Sequence, residues 1–290
     1  MIGKAACRGA ATIVNAIATG KGAAFGISLE TDAIVELEHG PGEVVLKDAK
    51  EGQELAVGCV RAIASRASKR EPDLKGEIRI RSEIPISRGL KSSSAVSNAV
   101  ALATSNALGS QLQDMELILA GIEESIKAGV TITGAFDDAS ACFLGGAVVT
   151  NNRSFTILSK GTLDPDFDIL IHVPERRISK SSVKELDFSP IREKVEHALD
   201  LALKGEYLKA MEANSRAYSK ILDVSEDIAE LARRKGALGA GISGTGPATV
   251  VVCSRADSQD IQKALDKEEG VVLRAKVNDT PAREVVPRLL

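Results

Sequence analysis

Apolar residues recur at helical spacing through Leu55, Val57, Val60, Ile63 and Ala64, and that period predicts a helix over 53–68. The preceding segments 33–38 and 43–47 are short and rich in Val, Ile and Leu, so the opening reads as a β-hairpin followed by a helix. Segment 77–81 alternates apolar and charged residues like a half-buried strand, and Pro85 with Gly89 breaks it before an Ala-rich helix over about 92–108. Helices read next over about 114–127 and 137–143, and Gly145-Gly146 ends the second before a strand at 147–150. The first unit closes near here. After the polar run 151–154 come strand-like pieces at 155–158 and 168–173, then helices near 191–203, 207–221 and 225–234. A glycine-rich loop over 239–246, a strand at 248–253, a helix at 258–265 and a strand at 271–275 complete the series. The pattern implies an α+β fold with mixed sheets and helices on one side, in an N-terminal unit (1–152) and a C-terminal unit (153–290).

Composition narrows the partners. The chain has 290 residues, 44% of them hydrophobic, enough to bury the core of one large domain or two fused ones. Its formal net charge is −3 and no long same-sign block occurs, which argues against a nucleic-acid scaffold or a membrane-surface protein and for a small-molecule partner. Cys7, Cys59, Cys142 and Cys253 are widely spaced and form no CxxC pair, as buried thiols in a reducing compartment would be. Lys4, Arg8, Thr12 and Asn15 interrupt any signal-peptide core in the first segment, and no stretch is long enough to span a membrane, so a cytoplasmic location is expected. His39, His172 and His197 share no motif and support neither a Ser-His-Asp nor a metal-triad reading.

The chemistry concentrates in Pro85-Ile86-Ser87-Arg88-Gly89-Leu90-Lys91-Ser92-Ser93-Ser94-Ala95. A helix N-terminus leaves backbone N–H groups unpaired and carries partial positive charge, so an anion there gains hydrogen bonds and favourable electrostatics. Gly89 lets the backbone approach phosphate, the serines add hydroxyls and a possible Mg²⁺ ligand at Ser93, and Arg88 and Lys91 can offset a triphosphate's charge. The plainer alternative is that the serines merely cap the helix. Two other nucleotide motifs fail. A Walker A loop ending at Gly20-Lys21 would have Asn15 in place of its first glycine and Gly22 in place of Ser/Thr. Gly239-Ala240-Gly241-Ile242-Ser243-Gly244 spells GxGxxG, but a helical pattern precedes it and Pro247 with a strand follows, the reverse of a dinucleotide fingerprint.

The loop resembles the phosphate-binding motif of the GHMP kinases, which include galactokinase, homoserine kinase and mevalonate kinase. Gly241, Ser243, Gly244, Thr245 and Gly246, with Pro247, resemble that family's C-terminal glycine motif, placed beside nucleotide and substrate. The wording of Gly9 to Ile17, Thr19 to Ala24 and Ser87 to Ser94 is most similar to the archaeal-type shikimate kinases of this group. The resemblance implies a two-lobed fold with the active site between the lobes, ATP and Mg²⁺ as cofactors, and phosphorylation of shikimate to shikimate 3-phosphate on the route to chorismate and aromatic amino acids. Homoserine or mevalonate as acceptor, and a dinucleotide-binding oxidoreductase, are the alternatives. One departure stands out: Arg8-Gly9-Ala10 occupies the region where several GHMP enzymes carry a lysine, and whether Lys21 replaces it stays open.

Phosphoryl transfer needs alignment, charge neutralisation and often a carboxylate to take the acceptor's proton. Asp137 and Asp138 stand at a glycine-punctuated helix start, where capping is the alternative reading. Counted back from Gly145-Gly146, Asp138 is similar in position to the family's catalytic Asp; counted from Gly134, Asp137 is. Asp138 is preferred, with Asp137 as the alternative. Glu124 is spaced from Gly129 like the family's metal-binding Glu, and it joins Ser93 as a candidate Mg²⁺ ligand, with a solvated helix face as the alternative.

Overall fold

The computed structural model describes residues 1–47, 51–68, 73–86, 88–131, 133–176, 178 and 183–284. A six-stranded sheet is built around β2 (Lys21–His39), which pairs along one edge with β1 (Ile2–Val14) from Glu36 back to Ala23. The other edge of β2 is shared: Thr31–His39 pairs with β4 (Leu74–Ser82) and Lys21–Phe25 with β5 (Ala147–Asn151). β3 (Val44–Leu46) runs parallel to β4, and β6 (Thr156–Gly161) pairs with β5. β6 lies beyond residue 152 and still belongs to this first sheet.

The hairpin expected from 33–38 and 43–47 does not form. Segment 33–38 is occupied on both edges, by β1 and by β4, so β3 finds its partner on the far side of β4. β1 itself escapes the hydrophobic pattern because most of its length is buried without alternation and is made of small residues. Small residues are required there. A Cβ on Gly3 would sit 1.9 Å from the carbonyl oxygen of Ala103, so the helix above it rests almost on the β1 backbone.

That helix is α2 (Ser92–Leu108), whose Ala95, Ala99, Ala101 and Ala103 are fully buried between the sheet and its neighbours. The neighbours are α1 (Gln53–Ser68), α3 (Asp114–Lys127) and α4 (Phe136–Leu144). The second sheet is antiparallel, in the order β10 (Val271–Lys276), β7 (Asp168–Val173), β9 (Thr249–Cys253), β8 (Gly239–Ile242). Between the sheets lie α5 (Arg192–Leu203) and α6 (Tyr207–Leu222): both contact β1, and α6 also packs on β8. α7 (Asp227–Arg234) and α8 (Arg255–Leu265) close the outer face over Leu170, Ala240 and Val251. Four of the eight residues expected to be a glycine loop, 239–242, are therefore strand. Their glycines serve packing: a Cβ on Gly241 would lie 2.9 Å from the Met211 carbonyl oxygen of α6. All four cysteines are buried, and among the described residues no helix is long and apolar enough to cross a membrane.

Candidate active site

A cleft of about 1000 Å³ opens where the first sheet's helices meet the turn after β8. Leu46, Leu55, Ile80, Ile84, Val96 and Val130 form its apolar lining, drawn from β3, α1, β4, α2 and the segments beside β4 and α3. Asn15, Thr133, Asp137, Asp138 and Thr245 supply polar lining. The size suits a nucleotide with a small acceptor, and the mixed lining suits an apolar base beside a polar reacting centre.

The loop before α2 runs along the cleft, where Pro85, Ile86, Arg88, Gly89, Leu90, Lys91, Ser92 and Ser93 all contribute lining. Ser87 lies outside the described residues. Ser94 and Ala95 are turned inward, buried in the helix packing. No serine caps the helix. The cap position is Lys91, in the left-handed region at φ 65°, and it makes no side-chain cap bond. The first helical bond runs from Ala95 N to Lys91 O at 3.0 Å, which leaves the amides of Ser92, Ser93 and Ser94 aimed out of the helix end. This is the geometry of an anion site.

Gly89 is held at φ 84°, and a Cβ there would sit 2.0 Å from the Ser243 carbonyl oxygen. The two glycine motifs touch. Ser243 Oγ donates to Gly89 O at 2.8 Å and accepts from Thr12 N at 3.2 Å, while Gly244 N donates to Thr12 Oγ1 at 2.7 Å. Asn15 Nδ2 adds a bond to Gly244 O at 2.7 Å. Gly244, Thr245 and Gly246 line the cleft, whereas Ser243 works as the knot that ties β1, the anion loop and the β8–β9 turn. Gly241 is not in the lining but in β8 under α6. The GxGxxG wording thus spans a strand and a tight turn into β9, with no helix opening after it, so the dinucleotide geometry is absent.

Both acids lie in the first turn of α4, and neither caps it, because Ala135 holds the cap position at φ 49°. Asp138 Oδ1 is 2.9 Å from Lys91 Nζ, with the two side chains only 15% and 8% exposed. Asp137 is buried and bonded to Asn152 Nδ2 at 2.7 Å. Burial, followed by the neighbouring charge of Asp138, pushes its pKa up to about 7, against the pull of Lys91 and Asn152.

Arg88 and Glu124, raised as candidates, and Lys21, left open, sit apart from the acid pair or in other contacts. Arg88 lines the cleft, but its Nη1 donates to the carbonyls of Pro174 and Arg176, so it straps the loop to the chain after β7. Lys21 is exposed and outside the lining; the lysine beside the acids is Lys91, from the anion loop itself. Glu124 is also outside the lining. It is buried against α1, where a Cβ on Gly58 would lie 2.4 Å from its Oε2, and it pairs with Lys127 at 2.6 Å. A glycine inside the α1 pattern was the one sequence signal of that close contact. Asn152, which holds Asp137, carries no motif signal of its own, and Thr12, which holds the glycine turn, lies in the Gly9 to Ile17 segment without being singled out there.

A family model described as GHMP kinases N terminal domain matches residues 54–146, and one described as GHMP kinases C terminal matches 192–271. The chain is 40% identical over 283 residues to a protein named shikimate kinase from Methanothrix thermoacetophila, covering 98% of this chain and 96% of the relative. It is 38% identical over 285 residues to a protein of the same name from Methanosarcina mazei, covering 97% and 96%. Its fold is like that of homoserine kinase from Cytophaga hutchinsonii, with a TM-score of 0.75 at 18% identity and 96% of each chain covered. With both family models matched in order and relatives this close along nearly the whole length, the chain belongs to the GHMP kinases.

Proposed function

We propose that this protein is an ATP-dependent shikimate kinase. The observation that carries the acceptor is the 40% identity, over nearly the full length of both chains, to an archaeal relative named shikimate kinase. The geometry supports the reaction class independently: amides at the α2 N-terminus that lack a helical partner face the same cleft as a carboxylate paired with a buried lysine.

In this reading the triphosphate lies against Ser92 and Ser93, and the base occupies the apolar lining of Leu55, Ile80 and Val96. An acceptor hydroxyl oxygen attacks the γ-phosphorus, the bond to the β-phosphate oxygen breaks to release ADP, and Asp138 takes the hydroxyl proton. Asp137 is the alternative proton acceptor. Lys91 pairs with Asp138 and places positive charge between it and the loop before α2. Mg²⁺ carried with ATP fits the oxygen donor offered by the Ser93 hydroxyl, since the ion takes few protein ligands and fills its shell with phosphate oxygens and water. When bound, it supplies charge neutralisation on the phosphates. Residues 1–152 then form the nucleotide-binding unit and 153–290 the glycine-turn unit, with β6 lent back to the first sheet. The buried thiols suit a cytoplasmic enzyme.

Incubating the purified protein with Mg²⁺-ATP and shikimate, with product analysis by mass spectrometry, tests this directly. Shikimate 3-phosphate and ADP in equal amounts are expected; ADP without a phosphorylated acceptor would overturn the reading.

A further inference from the structure

We propose that Asn152 is a positioning residue for phosphoryl transfer: its amide grips Asp137 at backbone and carboxylate together and thereby sets the direction of the acid pair in the cleft. This rests on the kinase reading of that pair.

Asn152 Nδ2 donates to Asp137 Oδ1 at 2.7 Å, and Asn152 Oδ1 accepts from Asp137 N at 3.3 Å. A carboxylate can only accept from nitrogen and a backbone amide can only donate, so the side-chain amide has a single orientation. Thr150 Oγ1 fixes it further by donating to Asn152 Oδ1 at 2.7 Å. The gripping residue is itself anchored, since Asn152 N donates to Gly20 O at 2.9 Å, in the turn leading into β2. On the other side of the carboxylate, a Cβ on Gly22 would lie 2.4 Å from Asp137 Oδ2, so only glycine leaves room for it. Asp137 is therefore boxed between β2, the β5–β6 hairpin and its own helix.

The same hairpin holds α4 at a second point. Phe155, at φ 50°, turns its ring edge-on against Phe136 with centroids 5.7 Å apart. An aromatic residue in the left-handed region is a backbone outlier, and here it packs against the residue just before Asp137. Consecutive helical residues point about 100° apart, so a first turn locked at Phe136 and Asp137 also sets where Asp138 points, toward Lys91. Nothing in this arrangement requires Asn152 to touch a substrate, and it is not in the cleft lining.

A purely structural asparagine would affect stability alone, whereas this one donates to the ionised form of Asp137. The ionisable groups facing Asp137 are Asp138 and Cys142 on α4, Lys91 before α2 and Tyr218 on α6. Asn152 and Lys91 favour the carboxylate, while burial and Asp138 oppose it, which leaves the group poised near neutral pH. Removing the Asn152 donor moves its titration upward.

The test measures kcat and KM between about pH 5.5 and about pH 9, with whichever acceptor turns over best, for Asn152→Ala and Thr150→Val in the otherwise intact enzyme. It adds the Asp137 carboxyl titration by ¹³C NMR and the thermal midpoint of each variant. Expected are a fall in kcat of more than about tenfold for Asn152→Ala, a KM for ATP within about twofold, and an acid limb displaced upward by about one pH unit. Thr150→Val, which keeps volume and frees the amide, should shift the limb the same way by less. In an Asp137→Asn background the Asn152→Ala change should no longer lower kcat. A lowered thermal midpoint with unmoved acid limb and unmoved carboxyl titration in both variants would overturn the proposal. Failure of the wild type on shikimate alone would overturn the acceptor reading instead, because the carboxyl titration reports the Asn152–Asp137 contact without any acceptor.

Discussion

Lys91 Nζ stands 2.9 Å from Asp138 Oδ1, joining the cap residue of α2 to an acid in the first turn of α4. In the proposed reaction this one cation serves two anionic neighbours, the Asp138 carboxylate and a nucleotide phosphate. An isolated buried lysine would be costly, so the pairing also explains why both side chains tolerate near-complete burial.

Asp138→Asn should leave ATP affinity within about twofold and lower kcat by about two orders of magnitude or more, the scale for losing a general base. Nucleotide titration calorimetry and steady-state kinetics check both halves. Should Asp138→Asn keep near wild-type turnover while Asp137→Asn loses it, the roles of the two acids are reversed.

Ser93→Ala should weaken binding of Mg²⁺-ATP by roughly threefold to thirtyfold with little change in thermal midpoint, since the hydroxyl lines the cleft and caps nothing. Gly89→Val is a different experiment. Its side chain would collide with the Ser243 carbonyl at a positive-φ site, so it should lower the thermal midpoint along with nucleotide binding. Equal ATP affinity in folded Ser93→Ala and wild type would remove Ser93 from the site.

Asp137→Asn should change stability with a definite pH signature. The folded pKa is raised from 3.8 to about 7, so the folded state holds more protons than the unfolded state between those values. Wild-type stability therefore falls as pH rises through that window. The asparagine variant, which cannot ionise, should gain on wild type by a few kcal/mol at most, fully above about pH 7 and not at all below about pH 4. Denaturant unfolding at about pH 5 and about pH 8 reads the difference, and a gain at the lower pH only would contradict the burial argument.

Lys91→Met should show the complementary pattern. It removes the cation whose charge favours the Asp137 carboxylate, so protonation of that acid is favoured, and the variant should be hurt more at about pH 8 than at about pH 5. Its kcat should fall further than its ATP affinity. An equal stability loss at both pH values would mean the lysine contributes packing alone.

The periodic helices were legible from the chain: the pattern through Leu55 and Ile63 gives α1 its bounds, and the Ala-rich run gives α2. So was the place of the loop before α2 along the cleft, because Gly89 and the serines at a helix start carry a physical meaning on their own. What the chain hides is set by contacts distant in sequence. β1 looks like no strand because its residues are chosen for the helix lying on it, with Gly3 under Ala103. Arg88 reads as a group that offsets phosphate charge, and the chain does not show the carbonyls of Pro174 and Arg176 that it also bonds. Glu124 has a suggestive spacing, but the chain does not show that its side chain packs against Gly58 of α1, and Asn152 has no motif at all, only its place opposite Asp137.

The central claim is tested most directly by ADP release with Mg²⁺-ATP held constant and shikimate, homoserine, mevalonate and galactose as competing acceptors. A kcat/KM for shikimate at least about a hundredfold above each of the others is predicted, the scale on which a site built around polar groups rejects a poorly matched acceptor. A higher kcat/KM for homoserine or mevalonate than for shikimate would contradict the account while leaving the chain a kinase.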